Sequence, residues 1–568
     1  MGFFVLSLLD HVGMIHTEKK QERNVPANDS PDKIYWGMRM RKVPVQERLI
    51  YDPVVIKPSP ANESNVVRLM SGAIKMFYIN KPGSADKLMS VSSRDNGITW
   101  SSPVKEFDLP GISYHANDVI EDRDGNLHCA FHVFGTGKNG YRGRQLNVWY
   151  CHTTDHSRDW TAPTKIFDGY VGSVRGLTAL KRGRLLLAMA RAVPSRLNKP
   201  PQNETDYGWN DIITLYSDDN GNSWQTSNAI RIAVDGNKVT RYGGIEPAII
   251  ELEDGKVWML IRTNKGCLYQ SFSDDGGKTW QPPEPTGFIS SDSPAMILRL
   301  ADKRLLVFWC SDQRWDNPNS YANGGREALH AAISSDEGKT WKGFREVLTA
   351  LPWDTASKGD RGTAYASAAE TQDGKVIVVS GQGESRAVVI FDPDWLEERS
   401  AGDDFQDGLV QWTLFGSRMT GPQSVIHDDD RKALFICKPG ARYGDEAVWN
   451  FPMTAKGKLT LDIDRNAGNK GIRLALTDHF SVSCDSLAAQ KGNVEFMLDS
   501  ALPRRIRAEI SWDIQQGKAS LYINHKLFRE SRLNRIPCWG MNYLRMGIPG
   551  SAPDQAGYFI RSVTIVPR

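Results

Sequence analysis

The stretches SRDNGITW (93–100), SDDNGNSW (217–224), SDDGGKTW (273–280) and SSDEGKTW (334–341) share one pattern, Ser-x-Asp-x-Gly-x-x-Trp. A fifth copy, TTDHSRDW (153–160), has Ser157 where the others have Gly. The Trp that ends each copy recurs at an interval of about 60 residues along the chain. A fixed interval of this length predicts a repeat architecture.

The chemistry of the motif is that of a hairpin turn. Its Asp carboxylate can accept backbone N–H groups across the turn, and its Gly can adopt positive φ. Its Trp can cover the strands behind the turn with a large apolar face. We therefore assign these Asp residues a structural role rather than a catalytic one.

Between the motifs lie short apolar runs that are interrupted by tight turns, as in DVIEDRDGNLHCAFH (118–132), EPAIIELEDGKVWMLIR (246–262) and ASAAETQDGKVIVVS (366–380). Each repeat then holds about four short strands, which is typical of a propeller blade. The turns between the first two strands of each repeat fall at Ser71-Gly72, Asp124-Gly125, Arg182-Gly183, Asp254-Gly255, Asp302-Lys303 and Asp373-Gly374. The sequence thus predicts an all-β chain with a six-bladed propeller.

Three segments are predicted along the chain. Residues 1–44 form an N-terminal tail and lead-in, and residues 45–398 form the propeller, which we expect to be catalytic. Residues 403–568 carry no motif and read as many short strands, which suits a jelly-roll or lectin-like β-sandwich. This sandwich is a candidate carbohydrate-binding domain, with Trp412, Trp449, Trp512 or Trp539 as stacking platforms.

Composition excludes several classes of protein. The 568 residues carry a formal net charge of only +3, which argues against a nucleic-acid protein that binds through bulk charge. There is no apolar run long enough to span a membrane. The seven cysteines are dispersed and show no CxxC spacing, so neither a disulfide framework nor a zinc site is expected. We expect no cofactor and no metal, and the sequence leaves the oligomeric state open.

The N-terminal run MGFFVLSLLDHVG has no basic residues before its apolar part. It reads as a weak or truncated signal peptide or as a simple tail. The compartment is therefore open, with a secreted or periplasmic location slightly favoured.

Blade geometry locates a site from the sequence alone, because the innermost strands of a propeller line its axis. Counting eight residues back from the inner turns reaches one mouth of the channel, at Glu63, Ala116, Val174, Glu246, Pro294 and Tyr365. Similar counts along the second and third strands bring Arg262, Arg326 and Asp86 to the same mouth. Charged groups gathered at this mouth are costly unless they pair with one another or bind a ligand. The alternative to a binding site is therefore a salt-bridge ring that plugs the channel.

At this point the chain resembles the sialidase (neuraminidase) superfamily of six-bladed, Asp-box propellers, over about residues 50–395. EPAIIELEDGKVWMLIR is similar to the family segment in which a Glu, here Glu246, precedes a carboxylate-binding Arg, here Arg262. GGREALHAAISSDEGKTW (324–341) places Arg326 like the family's third arginine. AYASAAETQDGKV (364–376) is similar to the segment of the catalytic tyrosine, here Tyr365.

The resemblance implies a retaining glycosidase in which Tyr365 attacks the anomeric carbon and Glu246 takes its proton. A phenol suits a sugar that carries a carboxylate on that carbon, since a carboxylate nucleophile would be repelled. Arg262 and Arg326 would hold the sugar carboxylate. The acid/base is expected to be Asp86, with Asp118 and His115 as alternatives.

One departure from the family pattern concerns its first arginine. The equivalent stretch here, ANESNVVRLMSG (61–72), puts Asn62 or Glu63 at that position. Loss of one arginine arm would weaken carboxylate binding, and Glu63 would repel the carboxylate. Loop arginines that could compensate are Arg39, Arg41, Arg175 and Arg361.

Three functions stay open on the sequence. The first is a sialidase-like exo-glycosidase that releases sialic acid or a related nonulosonic acid. The second is a lyase or hydrolase that acts on uronic-acid glycans, favoured by the missing arginine and by His115. The third is a non-catalytic glycan-binding protein. In each of these the partner is a glycan or glycoconjugate.

Overall fold

The computed structural model is an all-β molecule, as predicted. It describes residues 39–40, 49–51, 54–60, 63–80, 85–113, 117–135, 146–154, 159–193, 209–233, 243–312, 326–349, 362–382, 386–416, 423–426, 431–440, 446–480, 492–550 and 552–567. Among these residues the one helix is a short 3₁₀ turn, Pro393–Glu397, and no helix is long and apolar enough to cross a membrane.

Five antiparallel sheets of four strands follow one another along the chain as blades one to five. The strands of blade one are Ser64–Arg68, Ile74–Ile79, Ala85–Ser93 and Val104–Ser113. Those of blade two are Asn117–Glu121, Leu127–Phe134, Leu146–His152 and Thr164–Phe167. Those of blade three are Leu177–Ala179, Leu185–Val193, Trp209–Ser217 and Gln225–Thr226.

Blades four and five repeat this order of strands. The strands of blade four are Gly244–Glu251, Val257–Thr263, Cys267–Ser273 and Glu284–Ile289. Those of blade five are Met296–Arg299, Leu305–Trp309, Ala328–Ser334 and Lys342–Thr349. Apolar clusters between neighbouring blades, such as the one that joins blades four and five, form the propeller core.

Blade six is built from both ends of the propeller sequence. Its three C-terminal strands are Ser367–Glu370, Val376–Ser380 and Ala387–Phe391. The N-terminal strand Val54–Pro58 pairs with the third of these, and Leu49–Tyr51 pairs with Val54–Pro58 in turn. This pairing closes the ring of blades with backbone hydrogen bonds.

The four Asp-box motifs that contain Gly form the turns that the sequence predicted. In SDDGGKTW, the Asp275 carboxylate accepts hydrogen bonds from the backbone N–H of Thr279 at 2.8 Å, from its hydroxyl at 2.6 Å and from the Ser273 hydroxyl at 2.8 Å. Gly277 has φ +85°, and a Cβ there would press on Leu186 of the neighbouring blade. The buried Trp280 packs in the core between blades three and four. The motif is thus a staple between blades.

Two sheets form the C-terminal sandwich. One contains Arg39–Met40, Trp412–Gly416, Glu446–Thr454, Met541–Gly547, Ile472–Thr477 and Val494–Leu498. The other contains Ala401–Asp403, Gln423–Ile426, Lys432–Lys438, Asp554–Pro567, Lys456–Arg465, Arg505–Asp513, Lys518–Ile523 and Lys526–Arg532. A large apolar cluster fills the space between them.

The Trp residues offered as sugar platforms lie elsewhere than the sequence suggested. Trp412, Trp449 and Trp512 are buried in the sandwich core, because their strands alternate apolar positions inward. Trp539 packs against the blade four–five core and lies 6.3 Å from the Phe288 ring. The aromatic faces of Trp412, Trp449 and Trp512 therefore serve core packing, and the half-buried Trp539 packs at the interface with the propeller.

Candidate active site

Tyr365, Glu246 and Arg262 meet at one mouth of the propeller. The Tyr365 hydroxyl donates to Glu246 Oε1 at 3.1 Å, and Arg262 Nη1 donates to Glu246 Oε2 at 2.5 Å and to Tyr365 Oη at 3.1 Å. All three side chains are buried. Residues more than 100 positions apart in the sequence thus share one hydrogen-bonded cluster.

The backbone is unusual at two of these residues. Glu246, the third residue of the strand Gly244–Glu251, has φ +47°, and Tyr365, two residues before the strand Ser367–Glu370, has φ +67°. A residue with a side chain occupies the left-handed region at an energetic cost of roughly 1–3 kcal/mol. The fold therefore holds both side chains in strained positions that turn them toward each other.

A second carboxylate, Asp292, completes the surroundings of Arg262. Its Oδ1 accepts from Arg262 Nε at 2.7 Å, so the fully buried guanidinium lies between two carboxylates. Asp292 follows the last strand of blade four, two residues before Pro294. Sequence reasoning missed Asp292, although the count that reached Pro294 passed close to it.

Arg326 joins the cluster through blade six. Its Nη1 donates to Gln382 Oε1 at 2.7 Å, and Gln382 Nε2 donates to Glu63 Oε1 at 2.6 Å. The Arg326 guanidinium also lies 5.3 Å from the centre of the Tyr365 ring. Glu63, one of the two residues that the sequence offered for the family's first-arginine position, is therefore linked to Arg326 through Gln382, which no sequence pattern indicated.

Arg175 is the loop arginine that the structure brings to the tyrosine. Its guanidinium lies 4.8 Å from the centre of the Tyr365 ring, within the range of a cation–π contact, and its Nη1 donates to the Ala366 carbonyl at 3.3 Å. The backbone of Arg39 pairs with Gly416 in the sandwich, and Arg41 and Arg361 lie outside the described residues.

Asp118 lies deeper along the axis. With Arg175 it lines a cavity of 410 Å³ between the inner strands. Its carboxylate accepts from Asn65 Nδ2 at 2.9 Å and from the Leu177 N–H at 2.8 Å. Burial raises the pKa of Asp118 to about 7, although the hydrogen bond from Leu177 and the charge of Arg175 oppose this rise.

Asp86 has a different environment. It is exposed on the third strand of blade one, where it accepts hydrogen bonds from Asn80 at 3.2 Å and from Lys87 at 3.1 Å. The hydrogen bonds from Lys87 and Asn80 lower the pKa of its carboxyl. The structure places Asp86 in contact with these two side chains and not with the Tyr365 cluster. Two other predicted residues, Asn62 and His115, lie outside the described residues.

The site therefore combines a buried phenol, a carboxylate within hydrogen-bond reach of it, and three arginines around them. Such an arrangement can move a proton from the phenol to Glu246 and stabilise negative charge that develops on the phenol oxygen. The fold and the site together define a six-bladed, Asp-box propeller with a phenol–carboxylate pair at one mouth.

Comparison with known proteins agrees with this class. Residues 112–378 match the BNR repeat-like domain family. The chain is 28% identical over 320 residues to a sialidase of Micromonospora viridifaciens, which covers 48% of this chain and 44% of that protein. It is 30% identical over 152 residues to a sialidase of Vibrio cholerae, with 23% of this chain and 19% of that protein covered. Residues 112–378 thus resemble a BNR repeat-like domain, and these curated relatives are sialidases.

The matches to the curated relatives cover only part of each protein. The chain spans less than half the length of the curated relatives it matches. Among solved structures, Trypanosoma rangeli sialidase in complex with the inhibitor DANA is similar with a TM-score of 0.40 and 13% identity, and covers 89% of this chain and 91% of that one.

Proposed function

We propose that the protein is a sialidase-like retaining exo-glycosidase that releases a terminal acidic sugar, sialic acid or a related nonulosonic acid. The observation that carries the proposal is the hydrogen bond from the Tyr365 hydroxyl to Glu246, with Arg262 bound to both. A free phenol is a poor nucleophile because its pKa is near 10. Glu246 can take the proton of the phenol, and the Arg262 guanidinium can stabilise negative charge on the phenol oxygen. Together they make Tyr365 a better nucleophile.

The reaction would run in two displacements. Tyr365 Oη attacks the anomeric carbon as its proton passes to Glu246, and the glycosidic C–O bond breaks with a proton delivered to the leaving oxygen by an acid. Water, deprotonated by that same group, then attacks the anomeric carbon. The Tyr365 C–O bond breaks and the phenol recovers its proton from Glu246.

The carboxylate of the sugar would be held by arginines at the same mouth. Arg326 and Arg175 flank the Tyr365 ring, and Arg262 lies at its oxygen. Bidentate guanidinium–carboxylate bonds are strong and directional, so they can fix the anomeric carbon over the phenol. Arg175 would replace the missing first arginine in binding the sugar carboxylate.

Two carboxyls are candidates for the acid/base. Asp118 has the raised pKa that a general acid needs near neutral pH, but it is buried along the axis. Asp86 is open to solvent, where a leaving group departs, but its pKa is lowered. A variant that lacks the acid loses activity with poor leaving groups and keeps it with good ones, because only poor leaving groups need protonation. Asp86→Asn and Asp118→Asn are compared on aryl glycosides with good and with poor leaving groups. The variant that loses activity only with the poor leaving groups identifies the acid.

The nucleophile is tested with Tyr365→Phe. Wild-type protein is assayed on aryl sialosides, aryl ketodeoxynonulosonides and aryl uronides, and we expect turnover of one of the first two. Tyr365→Phe should lower kcat by at least about a thousandfold, since the covalent step is lost. Tyr269→Phe, a half-buried tyrosine on the third strand of blade four, is the matched control. Undiminished turnover by Tyr365→Phe contradicts the tyrosine mechanism.

The second candidate is a hydrolase or lyase that acts on uronic-acid glycans, favoured by the Glu63–Gln382–Arg326 chain of hydrogen bonds. A carboxylate in this chain makes the subsite beside the anomeric carbon less suited to a sialoside, whereas a uronate carries its carboxylate on C5, away from that carbon. Glu63→Gln keeps a hydrogen-bond acceptor for Gln382 and removes the charge. If the substrate is a sialoside, this variant should lower its KM by about threefold to tenfold. Turnover of uronides alone, with ultraviolet absorbance from a new double bond for a lyase, favours the second candidate.

A further inference from the structure

A buried chain of hydrogen bonds connects the sandwich to blade five. His330 Nε2 lies 2.5 Å from the hydroxyl of Tyr543, which belongs to the sandwich strand Met541–Gly547. That hydroxyl lies 2.6 Å from Glu346 Oε1, on the last strand of blade five. All three side chains are at least nine-tenths buried.

The direction of these hydrogen bonds is fixed by the backbone. The N–H of Ser311 donates to His330 Nδ1 at 3.2 Å, so that nitrogen is an acceptor. His330 is neutral, because burial lowers its pKa to about 3. Its Nε2–H therefore donates to Tyr543 Oη, and the Tyr543 O–H donates to Glu346. One hydroxyl of the sandwich thus completes a polar network in the propeller, and buried networks of this kind are costly to leave half satisfied.

A second contact from the sandwich reaches the same segment. The Phe480 N–H donates to the Ser311 carbonyl at 2.9 Å, and Asp312 forms an isolated bridge with Phe480. The Phe480 ring also packs edge-on to the Tyr543 ring, with centroids 6.0 Å apart. The sandwich therefore holds Ser311 and Asp312 from two directions.

Asp312 in turn holds the segment that carries Arg326. Its Oδ2 accepts from the N–H of Glu327 at 2.7 Å and from the N–H of Ala328 at 3.1 Å, the two residues after Arg326. Arg326 Cα is thus anchored by a carboxylate that the sandwich fixes. Its guanidinium meets the Tyr365 ring and Gln382 on the other side.

We infer that the sandwich is a positioning part of the active site, and that Tyr543 is a positioning residue that fixes Arg326 through His330, Ser311 and Asp312. This role differs from the carbohydrate-binding role that the sequence suggested for the sandwich. The effect on substrate rests on the proposed function, since it requires that Arg326 bind substrate. The effect on the Arg326 segment does not.

The test compares two conservative variants of the full chain, Tyr543→Phe and Tyr558→Phe. Both tyrosines are buried in the sandwich, and each loses one hydroxyl. The Tyr558 hydroxyl donates to the Gly547 carbonyl at 3.1 Å, within the sandwich. Hydrogen exchange at the amides of Ser311, Glu327 and Ala328 is measured under native conditions. This readout needs no substrate.

We expect Tyr543→Phe to speed exchange at these three amides by at least about tenfold relative to wild type. Without the Tyr543 hydroxyl the buried network loses a hydrogen bond, and local opening of this segment becomes easier. Tyr558→Phe should leave them unchanged. Asp312→Ala removes the acceptor itself and should raise exchange at Glu327 and Ala328 with the Tyr543 network in place. Equal exchange in the Tyr543 and Tyr558 variants overturns the inference.

Kinetics supply the second readout. On the substrate that wild type turns over, Tyr543→Phe should raise KM by about threefold to tenfold with kcat changed by less than about twofold, since a displaced Arg326 weakens binding more than chemistry. Tyr558→Phe should change neither. Faster exchange without a KM change means that Arg326 does not bind substrate, which counts against the proposed function. An unchanged exchange pattern counts against the positioning role.

Discussion

At the scale of single residues, the site depends on backbone conformations that most side chains avoid. Glu246 and Tyr365 have φ values of +47° and +67°, and Gly362, three residues before the tyrosine, has φ +81°. Strained residues concentrate where the surrounding structure fixes them for a purpose. Here the strain accompanies the contact between a phenol and a carboxylate from different blades.

Gly362 gives a test at this scale. A Cβ on Gly362 would overlap the carbonyl oxygen and Cβ of Arg326, whereas a Cβ on Gly374, with φ +79°, would meet nothing. Both Gly→Ala changes carry the cost of a left-handed residue, about 1–2 kcal/mol. We expect Gly362→Ala to destabilise the protein by a further ~1–3 kcal/mol and to raise KM.

The measurement is thermal unfolding with steady-state kinetics on both variants. Gly374→Ala is the control, because it shares the backbone strain and lacks the contact. If the two variants unfold at the same temperature and have the same KM, then the Gly362–Arg326 contact is unimportant.

At the scale of elements, the Asp-box turns stabilise blades and stand apart from the chemistry. The Asp275 carboxylate accepts four hydrogen bonds within its own turn, from Ser273, Lys278 and twice from Thr279. Removal of this carboxylate leaves turn N–H groups without their acceptor. The site residues lie within or beside strand ends at the mouth, such as Arg262 near the end of Val257–Thr263, and none of them belongs to a box.

Asp275→Ala should therefore lower stability without changing catalysis. We expect a loss of about 1–2 kcal/mol, which is typical when a capping carboxylate is removed. Thermal unfolding measures this loss, and kcat and KM at a temperature where the variant is folded should match wild type. Asp254→Ala, in an inner turn where Asp254 accepts from the Lys256 N–H alone, should cost less. A changed kcat in Asp275→Ala contradicts a purely structural role for the box.

At the scale of the whole molecule, the propeller and the sandwich share a polar buried interface. Asn450 and Asn542 of the sandwich both donate to the Phe344 carbonyl of blade five, at 3.1 Å and 2.8 Å. Phe344 has φ +52°, so its carbonyl is turned toward the sandwich by an uncommon backbone conformation. Buried hydrogen bonds of this kind favour one docking geometry.

Glu346 in this interface makes stability depend on pH. Burial raises the pKa of Glu346 from 4.5 to about 7, although the hydrogen bond from Tyr543 and the charge of Arg345 oppose the rise. The folded protein then binds more protons than the unfolded chain between these two values. Its free energy of unfolding should fall as pH rises through that window, by at most about 3 kcal/mol from this group.

Glu346→Gln should reduce that dependence and leave the share of Asp118, whose pKa burial also raises to about 7, because the amide does not ionise and can still accept from Tyr543. Thermal unfolding at about pH 5 and about pH 8 measures the difference for wild type and variant. Glu284→Gln is the control, since Glu284 is exposed and bonds to Gln270. A Glu346→Gln variant as sensitive to pH as wild type contradicts the assignment.

The repeat and its turn chemistry determined the blades, because a turn needs only local partners: Asp275 finds all its donors within four residues. Counting along strands also brought Glu246, Arg262, Arg326 and Tyr365 to one mouth, since a strand advances by a fixed rise per residue. The sequence predicted neither the closure of blade six by Val54–Pro58 nor the roles of Asp292 and Gln382. Their partners lie far along the chain and leave no local pattern.

Tertiary structure alone decided which charges meet. It placed Arg175 on the Tyr365 ring, tied Glu63 to Arg326 through Gln382, and left Asp86 with Lys87 at the surface. It also set the sandwich against the segment that carries Arg326. Periodic patterns encode strands and turns because these form from neighbours in sequence. Contacts between blades and between domains depend on how whole sheets pack, which no short stretch of sequence specifies.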